Sequence, residues 1–310
     1  MKRVSSINML RSVVMLLAMA LACSGLSAGV LTLHEKQTSP GDLRITGAFA
    51  GVEPGATRYL RHAELAASPL ARIITDPPLE GQKPRALTVI DVRELIRELR
   101  YQGDADTLLA RCQDGWETSF ADAAWLDAYE PYLVLRIDGH DPEAWPFTES
   151  QKAHMGAYYI HISPARHPHY YTDRLFTGKN PSGVVELRAV NYASYYAPYY
   201  TGPFARLDGP AARGREYFLN NCAACHSGPG EVGGKKSTRP WLVLGALVTA
   251  NPDYVRAFLA EPKKFLPGVS MTAFPNVAAD PALCDALFKF LQLGFPAVPP
   301  APPSDPKPAP

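Results

Sequence analysis

The feature that most constrains this chain is a run of five residues, Cys222 to His226, with the sequence CAACH. Two thiols separated by two residues and followed at once by an imidazole can bind a metal ion, close a disulfide or attach a haem. Each outcome demands different surroundings. A zinc site needs further ligands, whereas a redox disulfide is expected after a strand in a βαβ setting. The rest of the chain must therefore decide among these alternatives.

The surroundings of this run favour haem. No histidine follows His226 and the only later cysteine is Cys284, so a second ligand pair for zinc is missing. The preceding residues 212–220 (ARGREYFLN) are typical of a short helix and not of a strand. In CxxCH sequences both thiols add across the haem vinyl groups and the histidine binds the iron. The run therefore predicts one covalent haem c on Cys222 and Cys225, with His226 as an axial ligand.

The sixth iron ligand is predicted by counting. Outside the first 28 residues the chain has two methionines, Met155 and Met271, and only Met271 follows the CAACH run. It lies in FLPGVSMTAFP, an apolar loop stiffened by proline. The alternative interpretation is a methionine that only fills a gap in the core. Ligation by histidine and methionine raises the reduction potential relative to two histidines, which suits an electron carrier, so Met271 is the expected second axial ligand.

The N-terminus predicts export. Basic residues precede the apolar run 13–22, and the small residues of LSA (26–28) follow it. This run is shorter than the roughly 20 residues of a membrane span, so a cleaved signal peptide over residues 1–28 and a periplasmic location are expected. Cys23 leaves lipidation open, and membrane association is expected only if Cys23 is lipidated.

Composition excludes one class of partner and frames the remaining cysteines. The chain of 310 residues has 31 Lys and Arg against 30 Asp and Glu, which gives no reason to expect a nucleic-acid partner. Cys112 and Cys284 can form a disulfide in an oxidising compartment, but two buried thiols are the favoured interpretation. His154, His161, His167 and His169 lie in one stretch, where loop and surface histidines are favoured over a shared metal site.

Residues 41–190 are predicted to form an α+β domain. Val92, Leu95, Ile96 and Leu99 repeat at helical spacing behind Asp91, a candidate N-cap. Runs rich in β-branched and aromatic residues, bounded by Gly, Pro and Asp, predict strands at 87–90, 107–112, 132–139, 157–163 and 184–190.

The composition changes after residue 190. Residues 191–210 form a connector rich in Tyr and Pro, and residues 211–294 are predicted to be helical. Asn251 and Asp280 each precede a proline and an apolar helical stripe, so both are candidate N-caps. Residues 295–310 are Pro-rich and predict a disordered tail. The five segments are thus 1–28, 41–190, 191–210, 211–294 and 295–310.

Residues 211–294 resemble a class I cytochrome c domain, through the helix before CAACH, the later loop methionine and the closing helix. The resemblance implies an all-α fold. It also implies that the Pro240 carbonyl orients the His226 imidazole and that Gly214 lets the first helix cross the last one closely. Arg239 and Trp241 are candidate contacts of the haem propionates.

Residues 43–165 resemble, more weakly, the sulfite-oxidase-like molybdopterin fold. The matching pieces include LRITGAF, LTVIDVRELIREL, CQDGWETSF and PYLVLRIDG. In that family a cysteine that binds molybdenum precedes the helix matching residues 89–99, but residues 43–99 contain no cysteine. Cys112 follows that helix and matches a segment that binds no metal. The resemblance therefore implies a two-domain chain whose first domain lacks molybdopterin.

Two functional hypotheses follow. In the first, the chain is a periplasmic mono-haem electron carrier, and the N-terminal domain docks a partner dehydrogenase or oxidase, with no catalytic residues of its own. The alternative is a self-contained molybdenum–haem oxidoreductase of the sulfite dehydrogenase type. Haem-based sensing or peroxide reduction needs an open iron site, which the position of Met271 disfavours.

Overall fold

The computed structural model describes residues 30–173 and 177–295. The predicted signal peptide, the lipidation at Cys23 and residues 296–310 of the predicted tail lie outside the described residues. Nine strands are present in the described ranges: β1 Leu43–Gly47, β2 Thr57–Leu60, β3 Arg72–Asp76, β4 Arg85–Asp91, β5 Thr107–Cys112, β6 Glu117–Phe120, β7 Tyr132–Ile137, β8 Tyr159–His161 and β9 Val184–Val190.

Five strands form one sheet, in the order β2-β1-β9-β5-β6. The β1–β9 pair is parallel, with Ile45 opposite Leu187, and the other pairs are antiparallel. Leu43 and Ile45 are fully buried because alternate residues of a strand face the same side. The pairing of β1 with β9 brings the first and last strands of residues 41–190 together in one sheet.

The other four strands form an antiparallel sheet, in the order β3-β4-β7-β8. One of its faces supplies Ile90, Leu133 and Ile160 to the main core, which also contains the buried residues of β1, β5 and β9. The opposite face of the sheet packs Leu87 and other residues around Trp145 in a second core. The main apolar core therefore lies between the two sheets.

Several helices begin at residues whose side chains cap them. The predicted helix behind Asp91 is confirmed, because the Asp91 side chain accepts a hydrogen bond from the Arg93 backbone N–H. Asn251 and Asp280 also cap as expected. The helices are α1 His62–Ala67, α2 Val92–Leu99, α3 Ala123–Tyr129, α4 Glu149–Met155, α5 Pro168–Asp173, α6 Tyr192–Tyr195, α7 Gly209–Asn221, α8 Trp241–Ala250, α9 Pro252–Ala260, α10 Pro262–Phe265, α11 Pro275–Ala279 and α12 Pro281–Gln292.

Helices α7 and α12 cross at Gly214. A Cβ atom at this position would lie 2.0 Å from the carbonyl oxygen of Ala286, so only a glycine permits this approach. Beyond the crossing, Phe218 of α7 packs against Phe290 of α12 at 5.5 Å between ring centroids. The expected close crossing of these helices is confirmed.

The C-terminal helices are joined to the five-stranded sheet by backbone hydrogen bonds. The Glu117 N–H of β6 donates to the Ala224 carbonyl inside the CAACH run, and the Lys235 N–H donates to the Gly115 carbonyl. The connector adds Tyr195, whose hydroxyl donates to Glu117 at 2.6 Å, and Tyr199, which is buried among the helices. The two parts of the chain are therefore hydrogen-bonded to each other, although their buried apolar residues form separate clusters.

These contacts correct the predicted fold class. The prediction of a sulfite-oxidase-like α+β domain followed by a distinct all-α cytochrome c domain is wrong, because the described residues form a mixed α/β structure with two sheets and no separate all-α domain. The change of composition after residue 190 marks a change from strands to helices. The helical part packs its aromatic cluster around Tyr196, Tyr199 and Phe204 of the connector. The predicted segment boundaries remain predictions.

Candidate functional site

The CAACH run forms a tight turn at the end of α7. The Cys222 N–H donates to the Phe218 carbonyl at 2.8 Å, which closes the last turn of the helix. The Cys222 carbonyl then accepts from the backbone N–H groups of Cys225, at 3.0 Å, and His226, at 2.9 Å. This turn holds both thiols and the imidazole at the wall of one cavity.

That cavity has a volume of about 330 Å³ and brings together four residues predicted for the site. Cys222, Cys225, His226 and Met271 all line it, although Met271 lies far along the chain from the others. Most of the remaining wall is apolar and includes Phe218 of α7. Ligand sites are commonly apolar cavities with a few polar groups. The predicted residues thus share a cavity suited to a large apolar group.

The orientation of His226 is fixed by a backbone carbonyl. Its Nδ1 lies 2.7 Å from the carbonyl oxygen of Arg239, and since a carbonyl only accepts, Nδ1 carries the proton and donates. Nε2 is then the nitrogen that can bind a metal. Burial lowers the pKa of His226, despite the hydrogen bond to Arg239, and so favours the neutral imidazole that metals require.

The prediction that the Pro240 carbonyl orients His226 is wrong by one residue. Pro240 is the N-cap of α8, and its carbonyl accepts from the backbone N–H groups of Val243 and Leu244. The first turn of α8 therefore occupies that carbonyl, whereas the Arg239 carbonyl just outside the helix is directed to the imidazole. Pro240 begins the helix and does not contact the ring through its carbonyl.

The two candidate propionate contacts are placed differently. The Arg239 side chain is exposed and lines the cavity. Trp241 is instead buried in the aromatic cluster, where its ring stacks on Phe290 at 6.0 Å and meets Phe204 edge to face. The structure therefore brings Arg239 to the cavity and places Trp241 in the core beside it.

Met271 lies in the loop between α10 and α11. The loop is held at its end by Phe274, whose N–H donates to the Leu259 carbonyl of α9 at 2.7 Å. Met271 is half-buried and packs against the same apolar cluster as Phe218 and Leu287. A thioether at this wall is a soft ligand suited to haem iron.

The described cysteines are all free thiols. Burial raises the pKa of Cys222 and of Cys225 to about 12. A dithiol of the thioredoxin kind needs a thiolate stabilised near neutral pH, so these values argue against that chemistry. Cys112 and Cys284 are buried, which confirms the expectation of two buried thiols.

Two residues of the cavity wall were missed from the sequence. Trp116, in the turn between β5 and β6, and Lys236 both line the cavity. The Lys236 Nζ lies 5.4 Å from the centre of the Trp116 ring and 2.7 Å from an Asp114 carboxylate oxygen. The Trp116 Nε1 is buried without a hydrogen-bond partner among the described residues. No local pattern in the sequence places this turn beside residues more than a hundred positions later.

The histidine-rich stretch differs from the expectation in the burial of His161. This residue ends β8, within the strand predicted over 157–163, but it is buried, and its Nε2 lies 2.9 Å from an Asp76 carboxylate oxygen, so its prediction as a surface histidine is wrong. His167 is half-buried and His169 is exposed. Within residues 30–173 and 177–295, no three side chains of His, Cys, Asp and Glu gather as metal ligands would.

The donor set fits a covalently bound haem better than the alternatives. Two thiols, an imidazole with Nε2 left for a metal, and a thioether line one apolar cavity, and Trp116, which also lines it, has a buried N–H without an acceptor among the described residues. In the described part of the chain, no helix is both long and apolar enough to cross a membrane.

No model of a known protein family matches this chain, and no curated protein matches it either.

Proposed function

We propose that this chain is an exported electron-transfer protein that carries one covalently attached haem c. The observation that supports this proposal most strongly is the shared cavity of Cys222, Cys225, His226 and Met271. Three of these residues are adjacent in sequence, but Met271 reaches them only through the fold. This convergence supports the spacing argument independently.

Each of these residues has a distinct role. Cys222 and Cys225 would hold the haem covalently, through thioether bonds to its vinyl groups. His226, held in orientation by the Arg239 carbonyl, would bind the iron through Nε2, and Met271 would bind it through its sulfur. Haem, when bound, supplies an iron that takes up and releases one electron. The apolar wall would limit the access of water to the haem, and ligation by Met271 would favour the reduced iron.

The sheet-containing part is proposed to dock the redox partner, a periplasmic dehydrogenase or oxidase. This part supplies no cysteine that could bind molybdenum ahead of β5, since residues 43–99 contain none. Cys112 does not take that role, because its thiol is buried and lies on β5. The export signal predicted over residues 1–28 supports a periplasmic location, and a lipid on Cys23 would add membrane association.

The test is expression of the full chain in a bacterium that exports it, matures c-type haem and makes molybdopterin. We expect one iron and no molybdenum per chain, and haem that stays on the polypeptide in acidic acetone. Cys222→Ala combined with Cys225→Ala should abolish covalent attachment, whereas Cys284→Ala should retain it, because Cys284 is buried on α12 and does not line the cavity. Haem released by acid from the wild type would refute covalent attachment, and stoichiometric molybdenum would favour the oxidoreductase.

A further inference from the structure

The turn between β5 and β6 is held in place beside the residues that support His226. The Cys112 N–H donates to the Trp116 carbonyl at 2.8 Å, and the Trp116 N–H donates to the Asp114 side chain at 3.0 Å. The Lys235 N–H donates to the Gly115 carbonyl at 2.7 Å, which joins this turn to the segment ending at Arg239. Trp116 is therefore fixed relative to the imidazole.

The indole of Trp116 offers a hydrogen bond that the described protein does not use. Its Nε1 is buried and has no partner among the described residues, and Trp116 is one of the residues that line the cavity. A buried donor without an acceptor is destabilising and is rare in folded proteins. An acceptor belonging to the group that fills the cavity would satisfy it.

The charges on this part of the wall favour an anionic acceptor. Lys236 lies over the Trp116 ring and forms an ion pair with Asp114. Arg239 is exposed on the same cavity and has no ion-pair partner in the described part of the chain. Haem carries propionate carboxylates, which accept charge-assisted hydrogen bonds. We propose that Trp116 donates a hydrogen bond from Nε1 to a haem propionate, so that the five-stranded sheet supplies a positioning residue for the cofactor. This inference rests on the proposed function.

The hydrogen bond has a consequence for the reduction potential. A donor to the propionate offsets part of its negative charge. When the donor is removed, the unscreened carboxylate stabilises ferric over ferrous iron, so the midpoint potential falls. The same loss raises the pKa of the propionate, because the charged form is no longer hydrogen-bonded. The pH at which the potential begins to depend on protonation therefore shifts upward.

The test compares Trp116→Phe with Trp145→Phe in the full haem-loaded chain. Trp145 is the matched control, because its Nε1 donates to the His140 carbonyl in a core remote from the cavity. We expect equal covalent haem in both variants, with a lower midpoint potential and an upward-shifted pH dependence only in Trp116→Phe. Unchanged potential and pH dependence in haem-loaded Trp116→Phe would overturn the role of Trp116 and leave the proposed function intact.

If Trp116→Phe does not accumulate, a second measurement tests the hydrogen bond from Trp116 to the propionate. In the reduced wild-type protein labelled with ¹⁵N on tryptophan, nuclear Overhauser effects should connect one indole N–H to the propionate methylene protons. If no indole N–H shows such an effect, the inference is overturned. That result is also expected if a water molecule accepts the hydrogen bond from Nε1. A wild-type chain without covalent haem would instead overturn the proposed function itself.

Discussion

Gly214→Ala tests the helix crossing that supports the cavity. The new Cβ would lie 2.0 Å from the Ala286 carbonyl oxygen and 2.5 Å from its carbonyl carbon, and both are backbone atoms that cannot rotate away. Helices α7 and α12 must separate to admit the methyl group. Leu287, the next residue of α12, lines the cavity, so the separation also disturbs the wall that faces the haem.

The expected change in the free energy of unfolding is the difference between two opposing effects. Overpacking typically costs about 1 to 3 kcal/mol, and the short distance places this substitution near 3 kcal/mol. Replacing glycine by alanine within a helix recovers about 1 kcal/mol of intrinsic propensity. We therefore expect the free energy of unfolding to fall by about 2 kcal/mol, which lowers the melting temperature by roughly 4 °C in a chain of this size.

The matched control is Gly209→Ala in the same helix. A Cβ at Gly209 meets no atom within 4 Å, so this variant should be neutral or slightly stabilising. Both variants are compared with the wild type by urea unfolding, followed by far-ultraviolet circular dichroism. Equal unfolding midpoints for Gly214→Ala and Gly209→Ala would refute the close crossing.

The remaining predictions concern the iron ligand, the acid limb of stability and the joint between sheet and helices. Met271→Ala should abolish the weak sulfur-to-iron charge-transfer band and lower the midpoint potential, and a high-spin or bis-histidine wild-type spectrum would contradict methionine ligation. Burial raises the pKa of Asp91, but hydrogen bonds from Arg93 outweigh it and hold the pKa below its usual 3.8. This carboxylate therefore stabilises the fold above about pH 4, and the stabilisation is lost as the pH falls through the folded pKa. Asp91→Asn should lower the free energy of unfolding at pH 7 and should weaken the dependence of that free energy on pH in the acid range, as measured by urea unfolding. Gly115→Ala places a Cβ 2.9 Å from a backbone carbon of Lys235 at a positive φ of 86°, and should lower the free energy of unfolding by about 1 to 3 kcal/mol. The loss should exceed that of Gly103→Ala, where φ is also positive but no atom lies within 4 Å of the added Cβ.

Local features were predictable because their causes are local. The cap at Asp91 and the strands β5 and β9 follow from side-chain chemistry and periodicity within a few residues. Strands β1, β2, β3 and β6 were missed, because their formation depends on partners elsewhere, as in the parallel pairing of β1 with β9. Composition alone also suggested a distinct all-α C-terminal domain, and it gave no sign of the backbone hydrogen bonds that join β6 to the CAACH run.

In the candidate site, too, the features with local causes were predictable and those that depend on tertiary packing were not. The spacing of Cys222, Cys225 and His226 predicts chemistry directly, and counting methionines identifies Met271 because few candidates exist. The use of the Arg239 carbonyl depends on where α8 begins, since the Pro240 carbonyl is taken up by that helix. Trp116 reaches the cavity only through tertiary packing.

The most direct test of the central claim is the mass of the denatured, purified mature chain. We expect the mass of the polypeptide plus one haem. After trypsin digestion, the added mass should lie only on the peptide from Glu216 to Lys235, which contains both cysteines of the CAACH run. An unmodified chain, or haem attached to a peptide without Cys222 and Cys225, would contradict the account.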